Sequence, residues 1–561
     1  MDKPTNRVLA EGARKSSNFF RSDQILQHYL NKHLSDAGLN YMRDNLHELG
    51  KRAAREMDAL SLRADQNAPS LKQRNALGED INEVEFHPSY DQLLDIAAQS
   101  EMFHIKYRPE LRDRFGRERH ALGFAAGQLY GMGEIGVYCP LCMTDGAAHL
   151  VDKLAPEEDR NRLLANLSAR TGEDLYTGAM FLTEKSGGSD VGRNLCTAEK
   201  IEGNRYKLNG EKWFCSNVNA DVIMVLARTG TIGEGTRGLS LFLIEKEWPG
   251  GQHNSFHIKR LKEKLGVRSM ATGEVIFNNT TGLRLGEEGA GFKRMTEMIN
   301  ISRAYNSSAA VAGSRRAIIE AYQYLCHRIT FGKKAIEHAL IRQKFWELGA
   351  QYVADFLLSW RAIRAMDAAE EGDHTEQQLM RLLIPMAKWR TAEQSVYSVR
   401  ECMELMGGNG YIEDFVMPKV FRDVNVLPIW EGAGNIIVLD MLRAAQKSEG
   451  LSIIIEQIKS AAEQSDNYGE LMHQQLHQLL SVWNRLEGLD ERDQIEASAK
   501  PLFKQLIELY QMALMVEEKD GESAAWMNPS LSYMASTYDE GLNIEDPIGT
   551  QKLRNLIGWK Y

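Results

Sequence analysis

Four short motifs in this chain of 561 residues combine residue types that could bind a planar cofactor or move a proton. The first is Thr183-Glu-Lys-Ser-Gly-Gly-Ser-Asp190, directly after a strand-like run. Its small residues let the backbone approach a bulky planar ligand, while Thr183 and Ser189 supply hydroxyl donors. A polar turn without a ligand is the alternative interpretation.

The second motif is Asn209-Gly-Glu-Lys-Trp-Phe-Cys-Ser216, in which a turn signal precedes two aromatic residues and ends on a hydroxyl residue. Trp213 and Phe214 could form the wall of a site for a flat ring system, because aromatic rings offer large apolar faces. Two adjacent aromatic residues on a strand could equally pack against other parts of the protein.

The third motif is Arg328-Ile-Thr-Phe-Gly-Lys333, at the end of a long helical stretch. Arg328 supplies a planar fork that suits phosphate, and Phe331 supplies a stacking face. An arginine in the last helical turn followed by a glycine is also a common way to end a helix.

The fourth motif is Pro428-Ile-Trp-Glu-Gly-Ala-Gly-Asn-Ile436. Glu431 stands between the apolar pair Ile429 and Trp430 and a glycine-rich helix start. An apolar setting favours the neutral form of a carboxylic acid, which suits a general base that takes up a proton. The alternative is an acidic residue that stabilises the N-terminus of the following helix.

The elements around these motifs change character along the chain. Residues 1–177 are predicted to form a helical domain with an N-terminal arm, because 22–34 and 147–168 carry apolar residues at three-to-four spacing. Ser22 and Asp145 are predicted helix starts. The polar segment 59–87 is predicted to be a connection or a loose arm.

Residues 178–286 are predicted to form a small antiparallel β domain, either a barrel or a sandwich. Short β-branched or aromatic runs are separated there by Gly, Asn and Asp. The predicted strands are 178–183, 205–210, 222–228, 239–246 and 273–278.

Long helical stretches at 292–329, 336–371 and 376–405 then predict a C-terminal four-helix bundle over 287–448. Residues 449–561 are predicted to be an extra helical extension that docks against the bundle or another subunit. The fold class is therefore α+β and mainly α, with helices and strands segregated along the chain.

Composition excludes several classes of protein. The net charge of −10 gives no global positive field for a polyanion, and no run is long and apolar enough to predict a membrane span. Six cysteines in so long a chain predict a reducing, cytoplasmic setting and no disulfide framework. Cys139 and Cys142 have metal-like or redox-like spacing without further ligands nearby, so packing as small apolar residues is preferred and no metal is predicted.

Taken together, the four motifs resemble the acyl-CoA dehydrogenase family in order and spacing, over roughly residues 100–447. The resemblance implies FAD as cofactor and a homotetramer, in which Arg328, Phe331 and 407–410 touch a flavin bound mainly by a neighbouring subunit. The implied FAD contacts are Met180, Leu182, Thr183, Gly188, Ser189, Phe214, Ser216, Arg328, Phe331, Gly407, Gly408, Trp430, Gly432 and Asn435.

The resemblance also implies a mechanism. Glu431 removes the α-proton of an acyl-CoA, and the β-hydrogen leaves as hydride to flavin N5. The hydrogen bonds that polarise the thioester oxygen come, in this family, from the backbone N–H of the glutamate and the flavin ribityl chain. An electron-transfer flavoprotein or a similar acceptor is the implied redox partner.

Two departures keep a second function open. Where common family members have Asp and a second Arg beside the acyl-CoA site, this chain has Ala271 and Gly273. The long terminal extensions resemble the AidB-type branch, which is associated with DNA alkylation damage and feeble dehydrogenase activity. From Lys447 to Tyr561, however, 10 Lys and Arg stand against 19 Asp and Glu, which argues against DNA binding through this extension.

Overall fold

The computed structural model of the protein describes residues 18–249, 251–488, 491–538 and 548–560. Two compact units divide the chain. The unit called here the mixed unit consists of Glu56–Phe115 and Glu134–Tyr305. The helical unit consists of the described residues of Met1–Arg55, Gly116–Gly133 and Asn306–Tyr561.

The mixed unit contains one large sheet, a separate hairpin and several helices. Its helices are Glu56–Gln66, Pro88–Gln99, His104–Tyr107, Pro109–Phe115, Tyr138–Leu154, Glu157–Leu167 and the first part of Gly291–His327. The hairpin pairs Ser70–Arg74 with Asp80–Glu85, and the short strands Glu247–Trp248 and Gln252–His253 form another pair. The strands of the large sheet are Gly178–Phe181, Thr197–Glu202, Arg205–Ser216, Val222–Arg228, Leu239–Glu245, Phe256–Leu261 and Thr272–Leu285.

Pairing in the large sheet closes on itself. Leu239–Glu245 pairs with both Val222–Arg228 and Thr272–Leu285, so the order of strands returns to its starting point. The enclosed core includes Phe181, Val225 and Phe242, all at most 1% exposed. A small, closed sheet therefore matches the predicted β domain.

One detail of that sheet differs from the prediction. Gly178–Phe181 pairs with Val222–Arg228 in parallel, whereas most other pairs are antiparallel. About 40 residues, including the strands Thr197–Glu202 and Arg205–Ser216, connect the two, which gives the chain the length that a parallel crossover requires. Two further strands, Thr197–Glu202 and Phe256–Leu261, escaped prediction because they are largely polar and half-exposed.

The helical unit is built mainly from long helices. Its helices are Phe19–Ser22, Gln24–His33, Asp36–Ala53, Arg119–Gly133, the last part of Gly291–His327, Ala339–Glu370, His374–Leu405, Gly408–Tyr411, Met417–Val424, Gly434–Lys447, Gly450–Glu463, Gly469–Glu487, Arg492–Glu518, Ala524–Ser536 and Thr550–Ile557. A two-stranded pairing of Ile329–Thr330 with Lys333–Lys334 follows the first bundle helix. The long helices Gly291–His327, Ala339–Glu370 and His374–Leu405 begin and end within a few residues of the predicted helical stretches.

Two predicted helix starts were wrong. Ser22 ends the short helix Phe19–Ser22, and Asp23 caps the next helix by accepting a hydrogen bond from the Leu26 backbone N–H at 3.1 Å. Asp145 lies inside helix Tyr138–Leu154, where it is fully buried and pairs with Lys106 at 2.5 Å. A buried ion pair allows an acidic residue within an apolar helix that its sequence alone argues against.

The prediction of a connection or loose arm over 59–87 was also wrong. Helix Glu56–Gln66 occupies its beginning, and the hairpin Ser70–Arg74 with Asp80–Glu85 follows. Leu71 and Val84 of the hairpin pack against the core of the sheet. Few apolar residues suffice here because the rest of the hairpin faces solvent.

The C-terminal extension docks against the bundle of its own chain. Trp346 donates through Nε1 to the carbonyl of Pro529 at 2.8 Å, and Gln511 donates to Asp355 at 2.7 Å. Burial raises the pKa of Asp355 to about 6, although the nearby Arg390 guanidinium opposes the shift. In the described part of the chain, no helix is long and apolar enough to cross a membrane.

Candidate active site

The strand before the first motif alternates between two environments. Ala179 and Phe181 belong to the core of the sheet, whereas Met180 and Leu182 are half-buried. Successive side chains of a strand point to opposite faces. Met180 therefore lies on the face opposite Ala179 and Phe181, where a ligand can reach it.

Close packing explains the glycine at position 188. A Cβ atom there would lie 2.8 Å from the Thr183 hydroxyl oxygen, which is too close for any other residue without movement. Thr183 is half-buried and Ser189 is exposed. The turn thus carries two hydroxyl groups on a compact backbone, as the motif requires.

A buried ion pair joins the first motif to the second. The Glu184 carboxylate accepts from Lys212 Nζ at 2.8 Å, and from the backbone N–H groups of Leu195 and Cys196 at 2.6 and 3.1 Å. The backbone N–H of Trp213 donates to the carbonyl of Thr183 at 3.0 Å. Together these bonds fix the turn of the first motif against the strand of the second.

The aromatic residues of the second motif are partly accessible. Phe214 is 58% exposed, and Lys262 Nζ lies 3.4 Å from the centre of the Trp213 ring and 4.9 Å from that of Phe214. Ser216 is half-buried, with its hydroxyl 3.5 Å from that of Thr272. Phe214 and Ser216 therefore remain available to a ligand, while Cys215 between them is buried.

In the helical unit, the third motif and the glycine-rich break meet at one cavity of about 710 Å³. Arg328 and Phe331 line it together with Gly407, Gly408 and Asn409. A Cβ atom on Gly407 or Gly408 would meet no heavy atom within 4 Å, so the glycines leave open space there. The structure thus brings together residues about 80 positions apart in the chain.

Arg328 suits an anionic group at this cavity. Its side chain is exposed, and no carboxylate among the described residues pairs with it. Phe331 is 97% exposed and has a positive φ of 48°. An unpaired guanidinium beside an exposed ring is the combination that a ligand with phosphate groups and a flat ring would use.

Glu431 occupies an unusual backbone position. It is half-buried with φ of 55°, and Gly432 follows with φ of 102°. A left-handed non-glycine residue costs on the order of 1 kcal/mol, and such residues concentrate at functional sites. Lys388, which is 1% exposed, donates through Nζ to the carbonyl of Gly432 at 2.7 Å and so contacts this turn directly.

The residues around Glu431 leave a donor without an acceptor. The indole N–H of Trp430 is buried and forms no hydrogen bond within the described protein. Asn435 is exposed in the first turn of helix Gly434–Lys447. Buried donors in native proteins nearly always have partners, so the Trp430 N–H is a candidate contact for a ligand.

The two positions that depart from common family members are packed in the sheet. Ala271 is 1% exposed, and a Cβ on Gly273 would lie 3.1 Å from both the Arg260 carbonyl oxygen and a Val218 methyl group. A larger side chain at 273 therefore needs these neighbours to move. Neither position offers a charged side chain.

The cysteine pair is buried in the mixed unit. Cys139 and Cys142 form no disulfide, and Cys142 Sγ lies 3.1 Å from the Ser302 hydroxyl. Among the described residues, no group of three His, Cys, Asp or Glu side chains is placed to hold a metal ion.

Sequence inspection missed three charged residues that support the motifs: Glu184, Lys212 and Lys388. Each is at least 95% buried. A weak signal was present for Lys388, which stands in the apolar run Leu382-Leu-Ile-Pro-Met-Ala-Lys-Trp389. A lysine in such a run is rarely buried unless it has a partner.

Three protein-family models match successive segments of the chain. The acyl-CoA dehydrogenase C-terminal domain matches residues 289–446, and the middle domain of the same family matches 179–280. The adaptive response protein AidB N-terminal domain matches residues 11–171.

Individual relatives of this chain belong to the same family. Acyl-CoA dehydrogenase family member 11 of Caenorhabditis elegans is 30% identical over 91% of this chain and 85% of its own length. Putative acyl-CoA dehydrogenase AidB of Escherichia coli (strain K12) is 31% identical over 83% of this chain and 85% of its own length. The crystal structure of Caenorhabditis elegans ACDH-11 in complex with C11-CoA superimposes with a TM-score of 0.82 at 27% identity, covering 96% of this chain and 90% of that one.

The chain therefore belongs to the acyl-CoA dehydrogenase family and carries the N-terminal domain of its AidB-like branch. The family defines a class of oxidoreductases whose members are flavoproteins. The resemblance seen in the four motifs is confirmed, as is the mainly helical α+β fold.

Proposed function

We propose that this protein binds FAD and removes hydrogen from the α and β carbons of an acyl-CoA, with Glu431 as the catalytic base. The observation that carries the proposal is the turn at Glu431. A half-buried carboxylate is held there at φ of 55°, beside a buried Trp430 N–H that has no acceptor in the described protein.

Each unit carries residues that fit part of an FAD molecule. In the helical unit, Arg328 offers an unpaired guanidinium to the diphosphate, and Gly407 and Gly408 leave open space beside it. In the mixed unit, Thr183, Gly188 and Ser189 form a compact turn with hydroxyl groups, near which Met180 and Leu182 are accessible. Phe214 and Ser216 there, and Trp430, Gly432 and Asn435 in the helical unit, complete the proposed contacts.

Bound FAD supplies the acceptor for the β-hydrogen, which leaves the substrate as a hydride. The task of Glu431 is to remove the α-proton, which is weakly acidic beside a thioester carbonyl. Its backbone N–H is the proposed donor to the thioester oxygen, where negative charge develops. Glu431 would therefore accept the proton with its side chain and stabilise the charge on the thioester oxygen with its backbone N–H.

An acyl-CoA is the preferred substrate class. A structural relative that covers 96% of this chain was solved in complex with C11-CoA. An electron-transfer flavoprotein or a similar acceptor would reoxidise the flavin. A cytoplasmic location is proposed because the six cysteines form no disulfide.

A homotetramer is proposed from the surface around the cavity of the helical unit. Phe331 and Leu340, which line the cavity, are 97% and 87% exposed. Large apolar side chains that cluster at a surface in this way commonly mark an interface with another chain. A neighbouring subunit at this surface would bring its bound FAD to Arg328 and Phe331.

The test is anaerobic titration of the purified flavoprotein with acyl-CoAs of increasing chain length, followed by flavin absorbance. Bleaching at about 450 nm by one class of chain length is the expected result for a flavin reduced by its substrate. A protein that purifies with FAD but is reduced by no acyl-CoA contradicts the proposed reaction while leaving the cofactor in place.

A second candidate is a role in the response to alkylation damage with little dehydrogenase activity. The match of residues 11–171 to the AidB N-terminal domain favours it. DNA binding through the C-terminal extension is not part of this candidate, because residues 447–561 carry a net charge of −9. Failure of the acyl-CoA titration would favour this function.

A further inference from the structure

The helix His374–Leu405 lies against the C-terminal side of the turn that carries Glu431. Lys388 Nζ donates to the Gly432 carbonyl at 2.7 Å. Two residues further along, a Cβ on Gly434 would lie 3.5 Å from Trp389 Nε1 and from Glu393 Oε1 of the same helix. The helix therefore supports the backbone that directly follows Glu431.

Lys388 is a costly residue at this place. It is 1% exposed, and burial of an ammonium group is unfavourable unless hydrogen bonds and charges compensate. An apolar side chain of similar volume would often be neutral or stabilising at a buried site. A stability role alone therefore gives little reason for a lysine here.

The turn itself needs an external support. Glu431 and Gly432 both have positive φ, at 55° and 102°, and Glu431 does so without the freedom of a glycine. Strained backbone of this kind persists only where surrounding contacts fix it. The hydrogen bond from Lys388 is such a contact, because it acts on the peptide group that directly follows Glu431 and Gly432.

We propose that Lys388 is a positioning residue for Glu431: its ammonium group holds the carbonyl of Gly432 and so keeps Glu431 in the left-handed conformation that aims its carboxylate at the substrate. The inference rests on the proposed function of Glu431 as the base. In this proposal Lys388 acts through the backbone of the turn, by its hydrogen bond to the Gly432 carbonyl.

Lys388→Met, which keeps the length of the side chain but removes the donor, is the direct test. We expect kcat to fall by about 10- to 100-fold, since a misplaced catalytic group costs rates of this order. The KM for acyl-CoA and the FAD content should stay within about threefold, because Lys388 is not proposed to bind either. With α-deuterated acyl-CoA, the isotope effect on kcat should rise as proton removal becomes more rate-limiting.

Two variants serve as controls. Lys388→Arg keeps a charged donor and is expected to recover at least part of the lost kcat. Arg361→Met removes another well-buried cation that contacts the same helix, where Arg361 pairs with Glu376 at 2.7 Å. Glu376 is 12 residues, or about 18 Å, from Lys388 along the helix, so Arg361→Met should leave kcat and the isotope effect unchanged.

A crystal structure of Lys388→Met gives a readout that does not depend on turnover. Glu431 is expected to leave the left-handed region; retention of φ near 55° in that structure would overturn the inference. So would a Lys388→Met enzyme that matches Arg361→Met in kcat and isotope effect. If Lys388→Met does not fold, Lys388→Gln, which is uncharged but polar, is measured in the same way.

Failure of the proposed function has a different signature. Wild-type protein would then show no reduction by acyl-CoA, or Glu431→Gln would turn over normally. The Glu431 conformation in the Lys388→Met structure still decides whether Lys388 holds the turn.

Discussion

The Glu184 carboxylate lies 2.8 Å from Lys212 Nζ. Glu184 is 5% exposed and Lys212 is fully buried. The two residues are 28 positions apart and belong to different motifs. Because Glu184 also accepts from the backbone of Leu195 and Cys196, one carboxylate ties together the turn, the next strand and the aromatic motif.

Loss of the cation from this pair should destabilise the protein. Lys212→Met leaves Glu184 buried beside backbone donors alone, and removal of one partner from a buried pair costs about 3 to 5 kcal/mol. We expect a lower midpoint of urea unfolding, followed by circular dichroism. The double variant Glu184→Gln/Lys212→Met should recover part of the loss, which would not happen if Lys212 mattered only through its packing.

Lys72→Met is the matched control for that experiment. Lys72 pairs with Glu85 at 3.2 Å in the same unit, but both side chains are about half exposed. Exposed pairs contribute about 0 to 1 kcal/mol, so the midpoint should barely move.

Glu431→Gln should separate cofactor binding from catalysis. The amide keeps the size of the side chain but cannot take up a proton, so turnover should fall by about 100- to 10,000-fold. Flavin content, read from the ratio of absorbance at about 450 and 280 nm, should match the wild type. Glu449→Gln, at an exposed position just after helix Gly434–Lys447, is the control. Normal turnover of Glu431→Gln would contradict the role of Glu431 as base.

Arg328→Gln should weaken FAD binding. A hydrogen bond to a charged group is worth about 1.5 to 3 kcal/mol, which corresponds to roughly a 10- to 100-fold higher Kd on reconstitution of the apoprotein. Lys333→Gln changes an exposed cation in the adjoining two-stranded pair and should have little effect. Equal losses in both variants would indicate a general effect of charge and not a contact of Arg328.

Acid should weaken the attachment of the C-terminal extension at Glu518. Burial by itself raises the pKa of this carboxyl, but hydrogen bonds from His33 and Lys32, each at 2.8 Å, outweigh it and lower the pKa to about 2. A lowered pKa in the folded state means that the stabilisation is complete above the unfolded value of 4.5 and is lost as pH falls towards about 2.

Glu518→Gln should therefore lower the free energy of unfolding by about 3 kcal/mol at pH 7 and flatten its dependence on pH between about 4.5 and 2. Urea unfolding at a series of pH values measures both effects. Glu517→Gln changes the exposed neighbour and should reproduce the wild-type curve. A wild-type curve for Glu518→Gln would show that the pair with His33 does not hold the extension.

The long helical stretches and the β-branched runs between turn residues were predictable. The run Val222–Arg228 is buried at every position and was predicted to the residue, and the long bundle helices were placed within a few residues. Local patterns were misleading where a distant partner changes the cost of burial. Asp145 is the example: its pair with Lys106 is formed by a residue 39 positions away.

The sequence by itself determined the family, through four motifs in a fixed order, and the alternation of helical and β segments. Those features are local, because residue types and their spacing are readable over a few turns or strands. Only the tertiary structure decided that Glu184 meets Lys212, that Arg328 and Gly407 line one cavity, and that Lys388 donates to the Gly432 carbonyl. The physical reason is that a buried charge is tolerated only through its partner, and that partner is fixed by chain topology and not by neighbouring residues.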